Sequence, residues 1–185
     1  MPETTANASR IGRYTLSRRL GRDSIATGYR ARDSRDNREV AIKLIHAQID
    51  SSKALQVIRD RKLDQIRHPA ICRLYTIDRH QGLSYLAYEY AEGESLAGIL
   101  AAKGLRGRDK LPLMRALVEG LAALHEHGIC HLGVTPERIK IAADKTPKIL
   151  GIGRSSLLEA VGESAMVERS ELRYMAPEQL DADDL

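Results

Sequence analysis

Residues whose types could do chemistry lie in two places, a strand that ends in a lysine and a polar loop near the middle of the chain. The strand is Val40-Ala-Ile-Lys43, and the loop runs from His131 to Arg138. A lysine at the end of a strand can bind an anionic group, and a polar loop can supply a general base or the oxygen ligands of a hard cation. Gly133, near the start of this loop, has no side chain that could do either.

The elements around the loop are a helix before it and a β-hairpin after it. Asp109 is predicted to cap the start of that helix. Gly128 is predicted to end it, since a glycine in the left-handed conformation often terminates a helix. A shorter helix is expected over 95–102, and the apolar runs from Ile139 onward are typical of a hairpin. The loop is therefore expected to be held between two regular elements.

Upstream of these helices, the sequence predicts five short strands and one helix. Turn residues separate the runs of β-favouring residues, which lie at 14–20, 25–32, 39–46, 71–77 and 83–90. The helix follows the third strand, with Ser51 or Ser52 available as its N-cap and His68-Pro69 as its end. This order of elements indicates an α+β fold.

Several short motifs follow one another along the chain. They are Val40-Ala-Ile-Lys43, His68-Pro69, Glu89-Tyr-Ala-Glu-Gly93, His131 with Pro136-Glu137, and Ala176-Pro-Glu178. In this order they resemble the motif series of protein kinases, and bacterial Ser/Thr kinases of the eukaryotic type in particular. The resemblance covers about residues 11–185, which is nearly the whole chain.

The resemblance implies a two-lobe kinase-like fold. Residues 1–11 would be a disordered lead-in, and 12–90 an N-lobe with a five-stranded antiparallel sheet and one helix. Residues 91–185 would form a mainly helical, partial C-lobe that stops after the activation segment. The later helices of the family's large lobe are not in this sequence, so we expect either a fragment of a longer protein or an exposed apolar surface.

A nucleotide site is implied only in weakened form. The matching positions are Gly21, Ala41, Lys43, Glu89 and Ala91, with Tyr88 at the gatekeeper position. The glycine-rich loop retains only its first glycine, and Asp23 stands where the second would let the backbone approach a phosphate. Degenerate loops can still bind nucleotide, so we expect ATP binding to be weak or absent.

The helix residue that would pair with Lys43 in an active kinase is also changed. Counting back from Leu63 places Arg59 at the position of the family's glutamate, on the inward stripe. Two cations would repel each other there, and Asp60 is rotated about 100° away around the helix axis. The alternative is a shifted helix register in which Arg59 is a solvated surface charge.

The residues that carry the family's chemistry are replaced. The positions of the general base, the metal-binding Asn and the metal-binding Asp hold Gly133, Arg138 and Gly151. Lys140 stands where an apolar residue would lie under adenine, so its charge needs a partner or contact with water. We expect a cleft with no acidic side chain left to hold Mg²⁺ or accept a proton, and therefore no metal site. His125 and His127 point to different sides of their helix, so no zinc site is expected either.

The residues that would tie the lobes together mechanically are retained. The resemblance implies a packed row of side chains formed by Leu63, Leu74, His131 and Ile152. The activation segment offers four candidate phosphoacceptors, Ser155, Ser156, Ser164 and Ser170. Glu171 stands where the family usually has a threonine that contacts substrate.

Composition narrows the class of partner. Residues 1–80 contain 17 Lys and Arg against 9 Asp and Glu, while residues 81–185 contain 12 against 16. The arginines of the basic half are scattered without interleaved aromatic residues, so we expect a solvated surface and no nucleic-acid partner. No apolar run approaches the ~20 residues that span a bilayer. With two distant cysteines and no signal peptide, the expected location is cytoplasmic, with a protein as partner.

Three functions follow from these observations. The leading interpretation is an inactive pseudokinase that acts as a binding, scaffolding or regulatory module. The second is a weakly active Ser/Thr kinase with relocated catalytic groups, which would need an acid within reach of both Lys43 and the Gly133 loop. The third is a truncated product without activity.

Overall fold

The structure, a computed structural model, describes residues 10–46, 51–161 and 171–180. Its largest element is an antiparallel sheet of six strands in the order β1-β2-β3-β4-β6-β5. The strands are Arg10–Ile11 (β1), Tyr14–Arg22 (β2), Ala26–Asp33 (β3), Glu39–Ile45 (β4), Leu74–His80 (β5) and Leu83–Glu89 (β6). All five of the strands predicted from the sequence are present.

Strand β1 was not predicted, because residues 1–11 were expected to be a disordered lead-in. Gly12 has a φ of +55°, and the turn it makes returns Arg10 and Ile11 onto Thr15 and Tyr14. Ile11 is buried against the sheet. The predicted lead-in therefore overlaps a strand at its last two residues, and residues 1–9 lie outside the described part.

Alternation along β4 decides which way its lysine points. Val40 and Ile42 are buried in a cluster on one face of the sheet together with Tyr14 and Tyr85. Ala41 packs against the other, larger cluster, and Lys43 shares its face because successive strand residues point to opposite sides. Lys43 therefore faces the part of the molecule that holds the loop.

Helix α1 (Ser51–Asp60) is shorter than predicted. The left-handed residue Lys62, with φ +51°, interrupts it, and a 3₁₀ turn at Leu63–Gln65 follows. Among the side chains of α1 that the structure describes, Leu55 and Ile58 are buried. The inward stripe of the helix therefore runs through residues 55 and 58, rather than through 55, 59 and 63.

The next two helices lie close to their predicted positions. Helix α2 (Leu96–Ala101) is capped by Ser95, whose hydroxyl accepts the Gly98 N–H at 3.1 Å. Helix α3 (Gly107–His125) begins two residues before the predicted cap, Asp109, which instead pairs with Lys145 at 3.0 Å. The buried face of α3 is Leu113, Leu117, Gly120 and Leu124.

The hairpin predicted after α3 is present, and it pairs with an earlier short strand to form a small three-stranded sheet. Glu94–Ser95 (β7) pairs with Ile139–Ile141 (β8), which pairs with Pro147–Ile149 (β9). Two backbone hydrogen bonds join β9 to the segment before β5, from Ile149 N–H to Ala70 and from Cys72 N–H to Ile149. These bonds fix the hairpin relative to the large sheet.

The last described elements are α4 (Arg154–Val161), which packs against α1, and α5 (Pro177–Leu180). The larger hydrophobic cluster contains residues from both sheets and from α1, α3 and α4, so one continuous core joins these elements. The division at residue 90 into an N-lobe (12–90) and a C-lobe (91–185) stays a prediction.

Candidate functional site

Lys43 is engaged by an aspartate of the turn between β2 and β3. Asp23 accepts the backbone N–H groups of Ile25 at 2.9 Å and Ala26 at 2.7 Å through Oδ1. Its other oxygen lies 3.2 Å from Lys43 Nζ, and both side chains are mostly buried. The space beside Lys43, where the resemblance implies a phosphate, thus holds a carboxylate of the chain itself.

Burial and pairing act in opposite directions on these two groups. Burial would raise the pKa of Asp23, but the Lys43 charge and the two backbone donors outweigh it and hold that pKa below its ordinary value. Burial lowers the pKa of Lys43, and the attraction of Asp23 only partly opposes it. Asp23 is therefore firmly ionised at neutral pH and poorly suited to accept a proton.

Arg59 does not lie where the sequence predicted. Its side chain is exposed, and Nη2 donates to the carbonyl of Ile77 at 3.1 Å. The neighbouring residue, Ile58, is fully buried instead, and one residue rotates a helix side chain by about 100°. The prediction of a repulsive Arg59–Lys43 contact is wrong, and the surface alternative is correct.

Arg138 fills the space next to Gly133. It ends a 3₁₀ turn, Pro136–Arg138, and its Nη1 donates to the Gly133 carbonyl at 3.0 Å. A Cβ built at Gly133 would lie only 2.7 Å from that same nitrogen. The two replacements therefore fit each other, because the arginine occupies the volume that a side chain at position 133 would need.

Glu171 joins two arginines across the site. One carboxylate oxygen accepts from Arg138 Nη2, and the other lies 3.4 Å from Arg154 Nη2. All three side chains are largely buried, with Arg154 only 3% exposed. Two acidic side chains that the sequence did not place in the cleft, Asp23 and Glu171, lie there, each bound to cations. The prediction that no acid is left to hold Mg²⁺ or to accept a proton stays a prediction.

Tyr88 ties the sheet to the segment that begins at Gly151. Its hydroxyl donates to the Ile152 carbonyl at 2.8 Å, and burial raises its pKa. Gly151 and Gly153 have φ values of +88° and +84°, and a Cβ at Gly153 would lie 3.0 Å from Leu63 Cδ2. The conformation therefore favours glycine at both positions, and close packing favours it at Gly153 as well.

His131 is buried beside this segment. The Nε2 atom of His131 lies 3.0 Å from the Leu150 carbonyl oxygen. Burial, together with repulsion from nearby cations, lowers the pKa of His131 to about 4. The imidazole is therefore neutral at pH 7. The other members of the predicted row, Leu63, Leu74 and Ile152, are all buried in the larger cluster.

Two of the candidate phosphoacceptors are inaccessible. Ser155 and Ser156 are 2% and 0% exposed, and Ser155 Oγ donates to the Cys130 carbonyl at 3.0 Å. Their assignment as phosphoacceptors does not fit this conformation, since a kinase would need α4 to unfold first. Ser164 and Ser170 lie outside the described residues.

The remaining nucleotide-site candidates lie on β2, on β4, and at the end of β6 with the connection that follows it. Ala41 pairs with Tyr88 in the sheet, while Gly21 lies on an exposed part of β2. The Glu89 carbonyl accepts from Cys72 Sγ at 3.0 Å, and Ala91 follows, partly buried. Their roles in binding stay predictions.

Two lysines near this connection have polar partners. Lys148 Nζ lies 2.7 Å from a Glu89 carboxylate oxygen. Lys140 reaches the Gly93 carbonyl at 3.2 Å instead of projecting under a base. Its charge thus finds both a polar partner and solvent, as the sequence required.

The described residues also bear on metal binding and on membrane crossing. In the part of the chain that the structure describes, no group of three or more His, Cys, Asp or Glu side chains is arranged to hold a metal ion. Over the same residues, no helix combines the length and the apolar character that crossing a membrane requires.

The lysine on β4, the loop after α3, the hairpin and the glycine segment together define a protein-kinase-like site. The chain belongs to the protein kinase domain family, whose model matches residues 14–185.

Relatives and solved structures agree with this assignment. The chain is 29% identical over 178 residues to the serine/threonine-protein kinase pkn2 of Myxococcus xanthus, covering 91% of this chain and 21% of that protein. It is 29% identical to the serine/threonine-protein kinase PknB of Mycolicibacterium smegmatis, covering 90% and 28%.

Among solved structures, a Mycobacterium tuberculosis PknI kinase domain superposes with a TM-score of 0.71 at 17% identity, covering 98% of this chain and 69% of that one. These likenesses show a Ser/Thr-kinase-like domain that has bacterial homologues and an α+β kinase fold. The chain spans less than half the length of the curated relatives that it matches.

Proposed function

We propose that this kinase-like domain does not transfer phosphate and acts by binding another protein, as a scaffolding or regulatory module. The observation that carries the proposal is the position of Arg138. Its guanidinium fills the volume beside Gly133 and forms a hydrogen bond with that residue's carbonyl. Phosphoryl transfer needs a carboxylate that acts as a general base and a metal ion at this place, and a buried arginine opposes both.

The two carboxylates of the cleft do not replace the lost groups. Asp23 is bound by Lys43 and by two backbone N–H groups, and Glu171 lies between two arginines. A carboxylate that already neutralises a cation is a weak base and offers little net charge to Mg²⁺. Among the described residues, Asp23 contacts Lys43 and Glu171 contacts the arginines, so neither carboxylate bridges Lys43 and Gly133.

For nucleotide, we propose weak or absent ATP binding with little dependence on Mg²⁺. Asp23 holds Lys43, so an incoming phosphate would have to break that ion pair and lie next to a negative charge. The candidates Gly21, Ala41, Lys43, Glu89 and Ala91 would then contribute contacts of low affinity.

A protein partner and a cytoplasmic location complete the proposal. The outer face of α3 exposes Leu111, Met114 and Val118, which are 78%, 56% and 59% accessible. Apolar side chains grouped in this way favour a protein contact. Both cysteines are free, which suits a reducing compartment, and we propose neither a nucleic-acid partner nor a resident metal.

The test is a transfer assay with purified protein, radiolabelled ATP, Mg²⁺ and a general protein substrate. We expect the same background from the natural chain and from Lys43→Ala. Transfer that requires Mg²⁺ and disappears in Lys43→Ala would refute the proposal.

A weakly active kinase is the second candidate. The presence of Asp23 and Glu171 in the cleft favours it, because either could act after a rearrangement. Under this alternative, Asp23→Asn or Glu171→Gln would abolish a measurable transfer rate. Under our proposal, neither substitution changes the background.

A further inference from the structure

A cavity of about 470 Å³ lies between α2, the start of α3 and the β8–β9 hairpin, and we call it the α2–α3 cavity. None of the residues that line it belongs to the cleft around Lys43 and Gly133. Small-molecule sites in proteins have volumes of about 300–1,000 Å³. The α2–α3 cavity is therefore large enough to hold a small organic molecule.

Most of the wall of this cavity is apolar. Both helices, the loop between them and the hairpin contribute aliphatic side chains, among them Ile99, Leu105, Leu113, Ile141 and Pro147. Such a wall favours a ligand with an apolar body, because burial removes that body from water. No residue of the described lining is aromatic, so a cation could not be held here against the face of a ring.

The charged residues of the lining are Asp109, Asp144 and Lys145. Asp109 Oδ1 lies 3.0 Å from Lys145 Nζ, and Asp144 accepts the Thr146 N–H at 2.9 Å within its own turn. The hydrogen bond from Lys145 holds the pKa of Asp109 below its ordinary value of 3.8, so this carboxylate is ionised at neutral pH. An anionic ligand would meet two carboxylates in the lining, whereas a cationic ligand would be attracted to them.

The Asp109–Lys145 ion pair can exchange one ammonium group for another. The Lys145 side chain is 62% exposed, on the turn between β8 and β9, while that of Asp109 is only 23% exposed. An ion pair with such an exposed partner contributes little to stability, so little is lost when Lys145 leaves. Arg106 approaches the other oxygen of Asp109 only to 4.0 Å and is itself exposed, which makes it a weaker competitor.

We propose that the α2–α3 cavity binds a small organic ammonium ion, whose apolar body packs against the aliphatic wall and whose N–H groups donate to Asp109 in place of Lys145. A protonated amine brings up to three donors, and its hydrogen bonds to a carboxylate are strengthened by the two charges. The inference goes beyond the proposed function and does not depend on it, since the cavity shares no residue with the cleft.

The test is a titration of the 185-residue chain with phenethylamine, followed through the chemical shifts of the backbone amides. The matched probe is hydrocinnamate, which carries a carboxylate on the same ring and two-carbon link. We expect saturable binding of phenethylamine with shifts at Ala116 and Ile141, and binding of hydrocinnamate that is at least about tenfold weaker. Absence of saturation by phenethylamine, or equal affinity for the two probes, would overturn the proposal.

A third probe tests the hydrogen bonds to the carboxylate. The trimethylated analogue of phenethylamine keeps the positive charge but has no N–H group to donate. Because the described lining offers no aromatic ring, this analogue should bind more weakly than phenethylamine. Equal or tighter binding of the analogue would contradict the proposal.

Substitutions of the ion pair identify the group that binds the ammonium ion. Asp109→Asn should weaken phenethylamine binding about tenfold, because the charge is lost while the shape is kept. Lys145→Ala should strengthen it about twofold, since the internal competitor is removed. The matched control is Glu119→Gln, which removes a glutamate from an exposed ion pair with Arg115 on the same helix and should leave binding unchanged. An unchanged affinity in Asp109→Asn, or an equal loss in the control, would refute the assignment.

Filling the cavity is an independent test of where the probe binds. Ala116 lies in the wall, so Ala116→Phe should abolish phenethylamine binding. Ala122→Phe, on the exposed side of the same helix, is the control and should bind as the natural chain does. Binding that persists in folded Ala116→Phe would overturn the proposal. Should that variant fail to fold, the comparison of Asp109→Asn with Glu119→Gln decides.

Discussion

Single side chains decide the character of this cleft, and Asp23 is the first of them. It closes the turn before β3 and neutralises Lys43 at the same time. Asp23 stands where a glycine-rich loop would have its second glycine, and here it stabilises the turn through two backbone hydrogen bonds. As a consequence, the Asp23 carboxylate lies beside Lys43, where the kinase resemblance implies a phosphate group.

Asp23→Asn should destabilise the chain by about 1–2 kcal/mol at pH 7, because Lys43 loses its partner while the turn can still be capped. Since the folded pKa of Asp23 lies below its ordinary value of 3.8, the stabilisation is fully present above that value and is lost as pH falls through the folded pKa. Urea unfolding at pH 7 and pH 3 measures the difference. Asp36→Asn, at an exposed turn aspartate that pairs with Arg38, is the control and should change stability by less than about 0.5 kcal/mol.

The pairing of Gly133 with Arg138 predicts that restoring one family residue is harmful. Gly133→Asp should destabilise by about 1–3 kcal/mol, since the guanidinium must leave its hydrogen bonds to Gly133 and Glu171. Adding Arg138→Asn should recover part of the loss without producing transfer. Gly107→Asp, at a glycine with open space around it, is the control. Equal stability of Gly133→Asp and the natural chain would contradict this account.

Among the elements, α1 and the segment that follows Gly151 form one packed unit. Helix α4 contacts α1, and Ile58 of α1 lies under Gly153, 3.6 Å from the position of a Cβ there. Tyr88 secures the same segment from the sheet side. The early activation segment is thus part of the core, which explains why two of its serines are buried.

Two adjacent substitutions in α1 test this arrangement. Ile58→Ala should cost about 2–4 kcal/mol of unfolding free energy, because it opens a cavity beneath α4. Arg59→Ala should cost less than about 0.5 kcal/mol, since Arg59 is exposed. Chemical denaturation of both variants gives the comparison. The opposite order of effects would restore the helix register that the sequence favoured.

Tyr88→Phe probes the contact between the sheet and this segment. The Ile152 carbonyl would remain buried without its donor, so we expect a loss of about 1–3 kcal/mol. Hydrogen exchange should show faster exchange in α4 than in α3. An unchanged exchange pattern would mean that the hydroxyl does not hold the segment.

For the whole molecule, local patterns predicted the fold well and distant side-chain pairs poorly. Strand alternation and turn residues placed the five longer strands and the hairpin, because these signals act over a few neighbouring residues. The register of α1 was missed because it depends on where the helix ends, at Asp60, two residues before the left-handed Lys62. No local pattern marks that end.

The ion pairs of the cleft are a second such case. Lys43 with Asp23 and Arg138 with Glu171 join residues 20 and 33 positions apart. One signal was present in the sequence, since an arginine and a glutamate had each replaced an uncharged family residue in the same cleft. Two new charges of opposite sign in one buried site are expected to pair, because either alone would be costly there.

A thermal-shift titration with ATP, with and without Mg²⁺, tests the central claim that this cleft holds cations and carboxylates of its own in place of a metal-bound nucleotide. We predict a small shift in melting temperature that is the same in Mg²⁺ and in EDTA. A large shift that requires Mg²⁺ would contradict the account, since a carboxylate would then have to leave its arginine or lysine to bind the metal.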